Sequence, residues 1–481
     1  MRHFEFDRIQ TCVTDGEPRA DRDTLSAERW FGGHGRSIAS IEPDDAFVLD
    51  EVGPHLLAVA RVRLDDGSSR RYSFALTGRP PRVAEPGDGA WRALAVAMRE
   101  GRTIAGLPPD GESRGRPTAA LVCRPARSMV AEVDAFGERA LGADQSNTSV
   151  VLGERLLLKV FRRLQPGLNP ELELGAYLSE EAGFGAVPSL AGFTELVSSR
   201  YGTETVALAQ TFIADGADAY ESTSEALASR ILAPAAASPD SATDLAADLG
   251  TLTARLHAVL SAARGVPDLE PREASRAELR GWARAAHAGL AGALEVVDGE
   301  AATVLRDLAP RIADAFAAFE ASTALPLLTR IHADYHLGQI LISPGGYRVV
   351  DFEGDPLRSF EERRALDSPL RDVASMLRSL DHVSRSAERR ALARNGGPVT
   401  SPGLDPAAWR RRSRERFLAA YRTGLREAGA PIVLDPTLLR AFEIDKECRE
   451  FVYAATYLPS WTWAPTEGMR GLFEDDPGSA T

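Results

Sequence analysis

Lysine is nearly absent from this chain: of 56 basic residues, only Lys159 and Lys446 are lysines. Cysteine is scarce too. Cys12, Cys123 and Cys448 are odd in number and widely spaced, which excludes a disulfide framework and a zinc site. No run of about 18 apolar residues exists, so no membrane span is expected. The opening Met1–Asp7 carries acids and lacks the apolar stretch of a signal peptide, so the expected compartment is the cytoplasm. A net charge of -13, with a pI near 5.3, argues against nucleic acids and anionic membranes as partners. Hydrophobic content of 44% and charged content of 26% are those of an ordinary globular protein, and 481 residues suggest two to four structural units. Where arginine has replaced lysine almost everywhere, a surviving lysine marks a place that needs a compact ammonium on a flexible stem.

The most informative stretch is Arg330–Pro356. An apolar run ends in His332-Ala333-Asp334, Gln339 opens the strand Ile340-Leu341-Ile342, and Pro344-Gly345-Gly346 turns the chain. A second strand, Tyr347–Val350, closes on Asp351-Phe352-Glu353. Two strands about a Gly-Gly turn predict a hairpin. It would gather Asp334, Gln339, Asp351 and Glu353 at one end. Clustered carboxylates repel unless a cation sits among them, and hard oxygen donors suit magnesium. A carboxylate ahead of a pair of metal ligands is also the layout of a phosphoryl-transfer centre. The plain structural alternative is a polar hairpin with its acids neutralised by arginine.

His-x-Asp, an amide five residues after the Asp, and then Asp-Phe-Glu resemble the catalytic and metal loops of the aminoglycoside-phosphotransferase branch of the protein-kinase-like fold. The fuller wording, His-Ala-Asp-Tyr-His-Leu-Gly-Gln and Asp-Phe-Glu-Gly-Asp-Pro, is similar to the actinobacterial maltokinases and their glucosamine-kinase relatives. The resemblance implies an α+β, bilobal, eukaryotic-protein-kinase-like fold with an N-terminal β-rich cap and a mostly helical C-lobe. It implies ATP and Mg2+ as cofactors, Asp334 as general base, and Gln339, Asp351 and Glu353 as metal ligands.

Residues 1–90 read as the cap, with strand-like runs at 56–64 and 71–76 around Asp65-Asp66-Gly67. The Gly-rich Trp30–Arg36 lacks a following Lys-Ser/Thr and reads as a loop. Residues 91–135 form the expected intermediate subdomain and 136–215 the N-lobe. There, Gln145–Leu152 and Arg155–Phe161 flank Gly153-Glu154 as a second hairpin. Its polar turn, with Ser146, Asn147 and Thr148, is placed to lie over phosphates, and Lys159 takes the strand position of the phosphate-pairing lysine. Asn169-Pro170 starts a helix whose Glu173 is the first choice for the acid that fixes Lys159 and Glu171 the second. In the kinase-like order Val206–Ile213, with Gln210 and Phe212, is the hinge strand whose backbone meets the adenine.

Residues 216–481 read as the helical C-lobe with the catalytic and metal loops. Leu245, Leu249, Leu252, Leu256 and Leu260 recur at helical spacing, and His257 at their border reads as a packed, structural histidine. Asp372 resembles the acid that steadies the catalytic loop. On Phe442–Tyr453, Glu443, Lys446, Glu447 and Glu450 recur every three or four residues. A solvated, salt-bridged face is the ordinary explanation. The second lysine and the nearby Trp461 and Trp463 favour a sugar site instead, with His336, Asp334, Glu443, Asp445, Lys446 and Glu447 as contacts. Carboxylates there suit an ammonium-bearing substrate. The expected reaction is phosphorylation of a small-molecule sugar, glucosamine ahead of maltose, by a monomer or homodimer. A catalytically dead nucleotide-binding scaffold is the remote alternative, disfavoured because the lysine, the base and the metal acid are all kept.

Overall fold

Alternating apolar residues build the first half of the chain into sheets. The computed structural model describes residue 31 and residues 36–50, 53, 55–79, 81–107, 119–142, 147–233, 241–400 and 402–474, with 241–244 described by backbone alone. Trp30, residues 32–35, Cys12 and Ser146 lie outside the described residues. The chain divides into two compact units, Met1–Ala214 and Asp215–Thr481.

In the first unit, β1 (Ile38–Asp50), β2 (His55–Leu64) and β3 (Ser69–Thr77) form an antiparallel meander, with β4 (Arg82–Val83) on β3. Gly67 sits at φ 81 in the β2–β3 turn, a conformation that glycine adopts without strain. A second sheet comprises β5 (Thr103–Ala105), β6 (Ala119–Pro125), β7 (Glu138–Ala140), β8 (Thr148–Leu152), β9 (Leu156–Val160), β11 (Leu190–Ser198) and β12 (Gly202–Thr211). Its strand order is β5-β6-β11-β12-β9-β8-β7, while β10 (Arg163–Leu164) leaves to pair with β3. The helix Ala90–Arg99 buries Trp91, Leu94 and Met98 in one apolar cluster. That cluster takes Phe47 and Leu57 from the first sheet and Leu121, Leu158 and Ala209 from the second. From residues 91–135, β5 and β6 extend the sheet of the following segment. Arg71 pins the two sheets. It bonds Asp44 at 2.7 Å and Asp45 at 2.9 Å, reaches Glu204 on β12, and lies 4.0 Å from the Tyr201 ring centroid.

The second unit is helical. Long helices run over Ser241–Ser261, Arg276–Val296, Gly299–Ala321, Leu370–Asn395, Pro406–Glu427 and Pro436–Tyr457. Side-chain oxygens start several of them. Ser275 and Glu278 form a capping box, and Asp405-Pro406 and Asp435-Pro436 combine an N-cap acceptor with proline at N1. Glycine lets two helices nearly touch: a Cβ on Gly250 would collide with the Phe417 carbonyl oxygen. That approach brings His257 beside Tyr421. A small sheet, β13 (Ala217–Asp218), β16 (Ile340–Ser343) and β17 (Gly346–Val349), carries the predicted hairpin, with Ile340 opposite Val349 and Ser343 opposite Gly346. Among the described residues, no helix is long and apolar enough to cross a membrane.

Candidate active site

The loop ahead of β16 is held in a shape its sequence would not choose alone. Ala333 has φ 68 and Asp351 φ 63, left-handed conformations that cost a non-glycine residue roughly 1–2 kcal/mol each. Such strain persists only where surrounding contacts over-determine it. Here the buried Asp372 carboxylate accepts the His332 N–H at 2.8 Å and the Ala333 N–H at 3.0 Å. Behind it, His257 Nε2 lies 3.3 Å from Asp372, and His257 Nδ1 lies 2.8 Å from the Tyr421 hydroxyl. The His332 ring is fixed by its partners. Nε2 donates to the Val350 carbonyl at 2.9 Å, leaving Nδ1 to accept the Asp334 N–H at 3.4 Å. His332 thus ties the loop bearing Asp334 to the strand end bearing Asp351.

Asp334 is half-buried, with Lys446 Nζ at 3.5 Å from one carboxylate oxygen and His336 Nε2 at 3.6 Å from the other. His336 Nδ1 accepts the Gly338 N–H, so Nε2 carries the proton toward Asp334. Burial pushes the Asp334 pKa up, but the Lys446 ammonium and the His336 and His332 imidazoles outweigh it and hold the carboxyl well below the usual range. Lys446 also bonds Glu450 at 2.8 Å. Burial alone would lower its pKa, yet Glu450 and Asp334 raise it. The result is an ionised carboxylate at every pH a cell offers, beside a permanent ammonium.

These groups line a cavity of about 480 Å³. Tyr220 and Trp461 add an aromatic wall, and Glu450 and Tyr453 come from the same helix stripe as Lys446. Of the four residues placed on the sugar from that helix, Lys446 alone lines the cavity. Glu443, Asp445 and Glu447 point elsewhere. Arg414 grips Glu443 through two bonds of 2.6 and 2.8 Å, and Arg378 adds a third. Asp445 takes Arg371 and Arg449, and Glu447 takes Arg378 and His382. The correction is geometric: Glu443 and Glu447 form one stripe against the neighbouring helices, and Lys446, Glu450 and Tyr453 form the next. Sequence reasoning missed Tyr220, Tyr453, Arg378 and His382 as cavity residues. The last two sit four residues apart on Leu370–Asn395, a charged spacing that was available to be read.

At the hairpin mouth, Gln339 Nε2 donates to Asp351 at 3.4 Å, and Arg363 donates to the Glu353 carbonyl while approaching its carboxylate at 3.9 Å. Gln339, Asp351 and Glu353 are all partly buried. Together they offer an amide oxygen and two carboxylates, a hard-oxygen donor set that fits magnesium.

In the first unit, Gly153 and Glu154 turn β8 into β9 at φ 56 and 54, and Lys159 on β9 faces Ser149 and Leu208 in register. Its ammonium bonds the buried Glu171 at 2.7 Å. Glu171, the second choice from sequence, is thus an acid on Lys159. Asn169 caps the helix by accepting the Glu171 N–H at 2.8 Å, which sets this first-turn acid against the strand. Glu173 is buried two residues further along that helix. Asn147 is buried and Thr148 accepts Arg162 Nε at 2.9 Å. Gln210 pairs with Leu157 and Leu190, and the N–H groups of Thr211 and Phe212 already bond Ser189 and Arg155 carbonyls.

The sequence pattern of the Phosphotransferase enzyme family matches residues 137–425. The chain belongs to that family. Within it, a curated glucosamine kinase of Streptacidiphilus jiangxiensis is 33% identical over 404 residues, covering 82% of this chain and 83% of its own length. A glucosamine kinase of Mycolicibacterium smegmatis is 28% identical and covers 94% and 98%. Among solved structures, a glucosamine kinase in complex with glucosamine, ADP and inorganic phosphate is 28% identical, with a TM-score of 0.68 over 94% of this chain and 98% of its own. A second crystal form reaches 0.72. These family members share the kinase-like, α+β architecture, β-rich in its first part and helical in its second.

Proposed function

We propose that this phosphotransferase is an ATP-dependent kinase that converts glucosamine to glucosamine 6-phosphate. The observation that carries the reading is the pairing of Asp334 with Glu450 across Lys446 on one cavity wall. Two carboxylates there offer an aminosugar one partner for its ammonium and one for its reacting hydroxyl. Similarity to glucosamine kinases over more than four-fifths of the chain supports the same substrate.

In this reading Asp334 accepts the proton of the 6-hydroxyl as that oxygen forms its bond to the γ-phosphorus and the bond to the ADP oxygen breaks. A base already held ionised needs no proton loss before the step. His336 orients the carboxylate through its second oxygen. Lys159, steadied by Glu171, pairs the nucleotide phosphates; Asn147 and Thr148 cover them, and the end of β12 near Gln210 and Phe212 meets the base. Gln339, Asp351 and Glu353 would hold Mg2+, which, when bound, neutralises charge on the phosphates. The Thr211 and Phe212 N–H groups are already used, so other backbone groups of that strand end would read adenine.

The test offers ATP and magnesium with glucosamine, glucose, maltose and N-acetylglucosamine side by side and follows ADP release. Preference for glucosamine by tenfold or more is the expected outcome, a difference of about 1.4 kcal/mol in transition-state binding. Equal use of glucose would remove the role of the ammonium. Asp334→Asn should lower kcat about 10²-fold or more; turnover unchanged in that variant would remove the base.

A further inference from the structure

A second cavity, of about 200 Å³, lies in the helical unit among Leu370–Asn395, Pro406–Glu427 and Trp463–Glu474. Its wall carries five arginines, Arg378, Arg385, Arg410, Arg411 and Arg414, against two carboxylates, Asp381 and Glu474. Acids behind and around the wall meet most of this charge, and Asp381 is shared. Arg385 Nε bonds it at 2.6 Å, while Arg410 and Arg378 approach at 3.8 and 3.9 Å. The acids that neutralise Arg414 and the inner side of Arg378 are Glu443 and Glu447, which are fully buried and lie behind the wall. Arg385 and Arg410 reach Glu467 and Glu388 at the periphery. Arg411 is exposed on the cavity wall and makes no ion pair or hydrogen bond within the described residues. The lining also shows a made space: a Cβ on Gly471 would lie 2.6 Å from an Arg385 terminal nitrogen. Glycine at 471 thus leaves room for that guanidinium beside the helix Trp463–Glu474.

Forked guanidiniums converging on a space of this size, with one fork unspent, are the geometry that recognises a tetrahedral oxyanion through paired N–H donors. Arg378 is common to the linings of this cavity and the candidate sugar cavity, and no other residue is. We propose that the arginine-lined cavity binds a small phosphate-bearing anion at a site separate from the one that holds substrate. Two sources supply that chemistry: free inorganic phosphate and the phosphate ester of a small sugar. Arg411 presents the free fork, with Arg410 and Arg414 beside it, and Arg385 next to Gly471 lines one side.

The full-length chain, without sugar or nucleotide, is titrated with inorganic phosphate and separately with glucosamine 6-phosphate, by calorimetry at constant ionic strength set with chloride. Wild type should bind saturably, and Arg411→Ala should weaken binding at least about fivefold. Arg411→Lys, which keeps the charge and loses the fork, should recover only part of it. Lys446→Met, which disturbs the substrate cavity, should leave the binding of inorganic phosphate in place. Loss with inorganic phosphate alone assigns the free ion, and loss with both ligands assigns the ester as well. The exposed position of Arg411 keeps the variant folded, which a circular dichroism melt verifies. No saturable binding by wild type, binding unchanged in both Arg411→Ala and Gly471→Ala, or inorganic phosphate binding abolished by Lys446→Met would each overturn the proposal.

Discussion

Two stripes of one helix, Pro436–Tyr457, carry similar charges and do different work. One sets Glu443 and Glu447 against Leu370–Asn395, each acid fully buried and met by cations on its neighbours. The other sets Lys446 and Glu450 on a cavity, where the ammonium is divided between Glu450 and Asp334. On the first stripe opposite charges balance locally, and the cost of removing a partner falls on the fold. On the second the charges converge on open space, and the cost of removing one falls on binding. A charged residue's role is thus read from what its partners leave unsatisfied, and local charge density does not reveal it.

Mutation distinguishes the two stripes. The largest effect is expected for Glu443→Ala, which strands Arg378 and Arg414: about 3–5 kcal/mol of stability in chemical denaturation, with kcat per folded molecule kept. A rise in KM with stability intact would put Glu443 on the sugar after all. Next, Glu450→Gln should raise KM for glucosamine about tenfold and shift the melting temperature little, and it should leave KM for ATP unchanged. Lys159→Met comes third: it should raise KM for ATP and leave KM for sugar unchanged, measured in the same assay.

The pH dependence is gentler and runs in opposite directions. Burial raises the Glu443 and Asp445 pKa values, but Arg414 and Arg378 outweigh it for one and Arg449 and Arg371 for the other, so both lie below their ordinary values of 4.5 and 3.8. Their stabilisation is whole above those values and is lost as pH falls through the depressed folded ones. For His382, burial lowers and Glu447 raises, with a net rise above 6.5. Its contribution is whole below 6.5 and is lost as pH climbs through the raised folded value. Urea melts across pH should therefore show loss on both sides, with the alkaline loss absent in His382→Gln. The smallest effect is on activity: Asp334 is held so low that kcat/KM should show no acid limb near pH 4, where free aspartates titrate.

Much of this was legible in the sequence, and for a physical reason. The hairpin is local: its turn, its strands and its polar ends all lie between Arg330 and Pro356, so spacing alone brings Gln339 to Asp351. The Gly153-Glu154 hairpin and the Asn169-Pro170 helix start were equally local. The misplacement of Glu443, Asp445 and Glu447 arose because their partners, Arg378, Arg371 and Arg414, are remote in the chain. That Glu171 reaches Lys159 was less legible, for a smaller reason. Which acid of a first turn reaches a strand depends on how the helix is rolled, and the Asn169 cap fixes that roll only once Thr205 has bonded the Asn169 N–H at 3.1 Å. Tyr220 and Trp461, brought to 6.2 Å between ring centroids, come from segments too far apart for any spacing to connect.

The scarcity of lysine also makes the chain its own reporter. Reductive methylation with a 13C-labelled reagent places tagged groups on Lys159, Lys446 and the N-terminal amine. The two side-chain signals are then assignable by one mutant. One reads the electrostatic surroundings of Glu171 in the first unit, and the other reads those of Asp334 and Glu450 in the second. Nucleotide and sugar can then be followed separately in a single spectrum, each by the ammonium that stands nearest the place proposed for it.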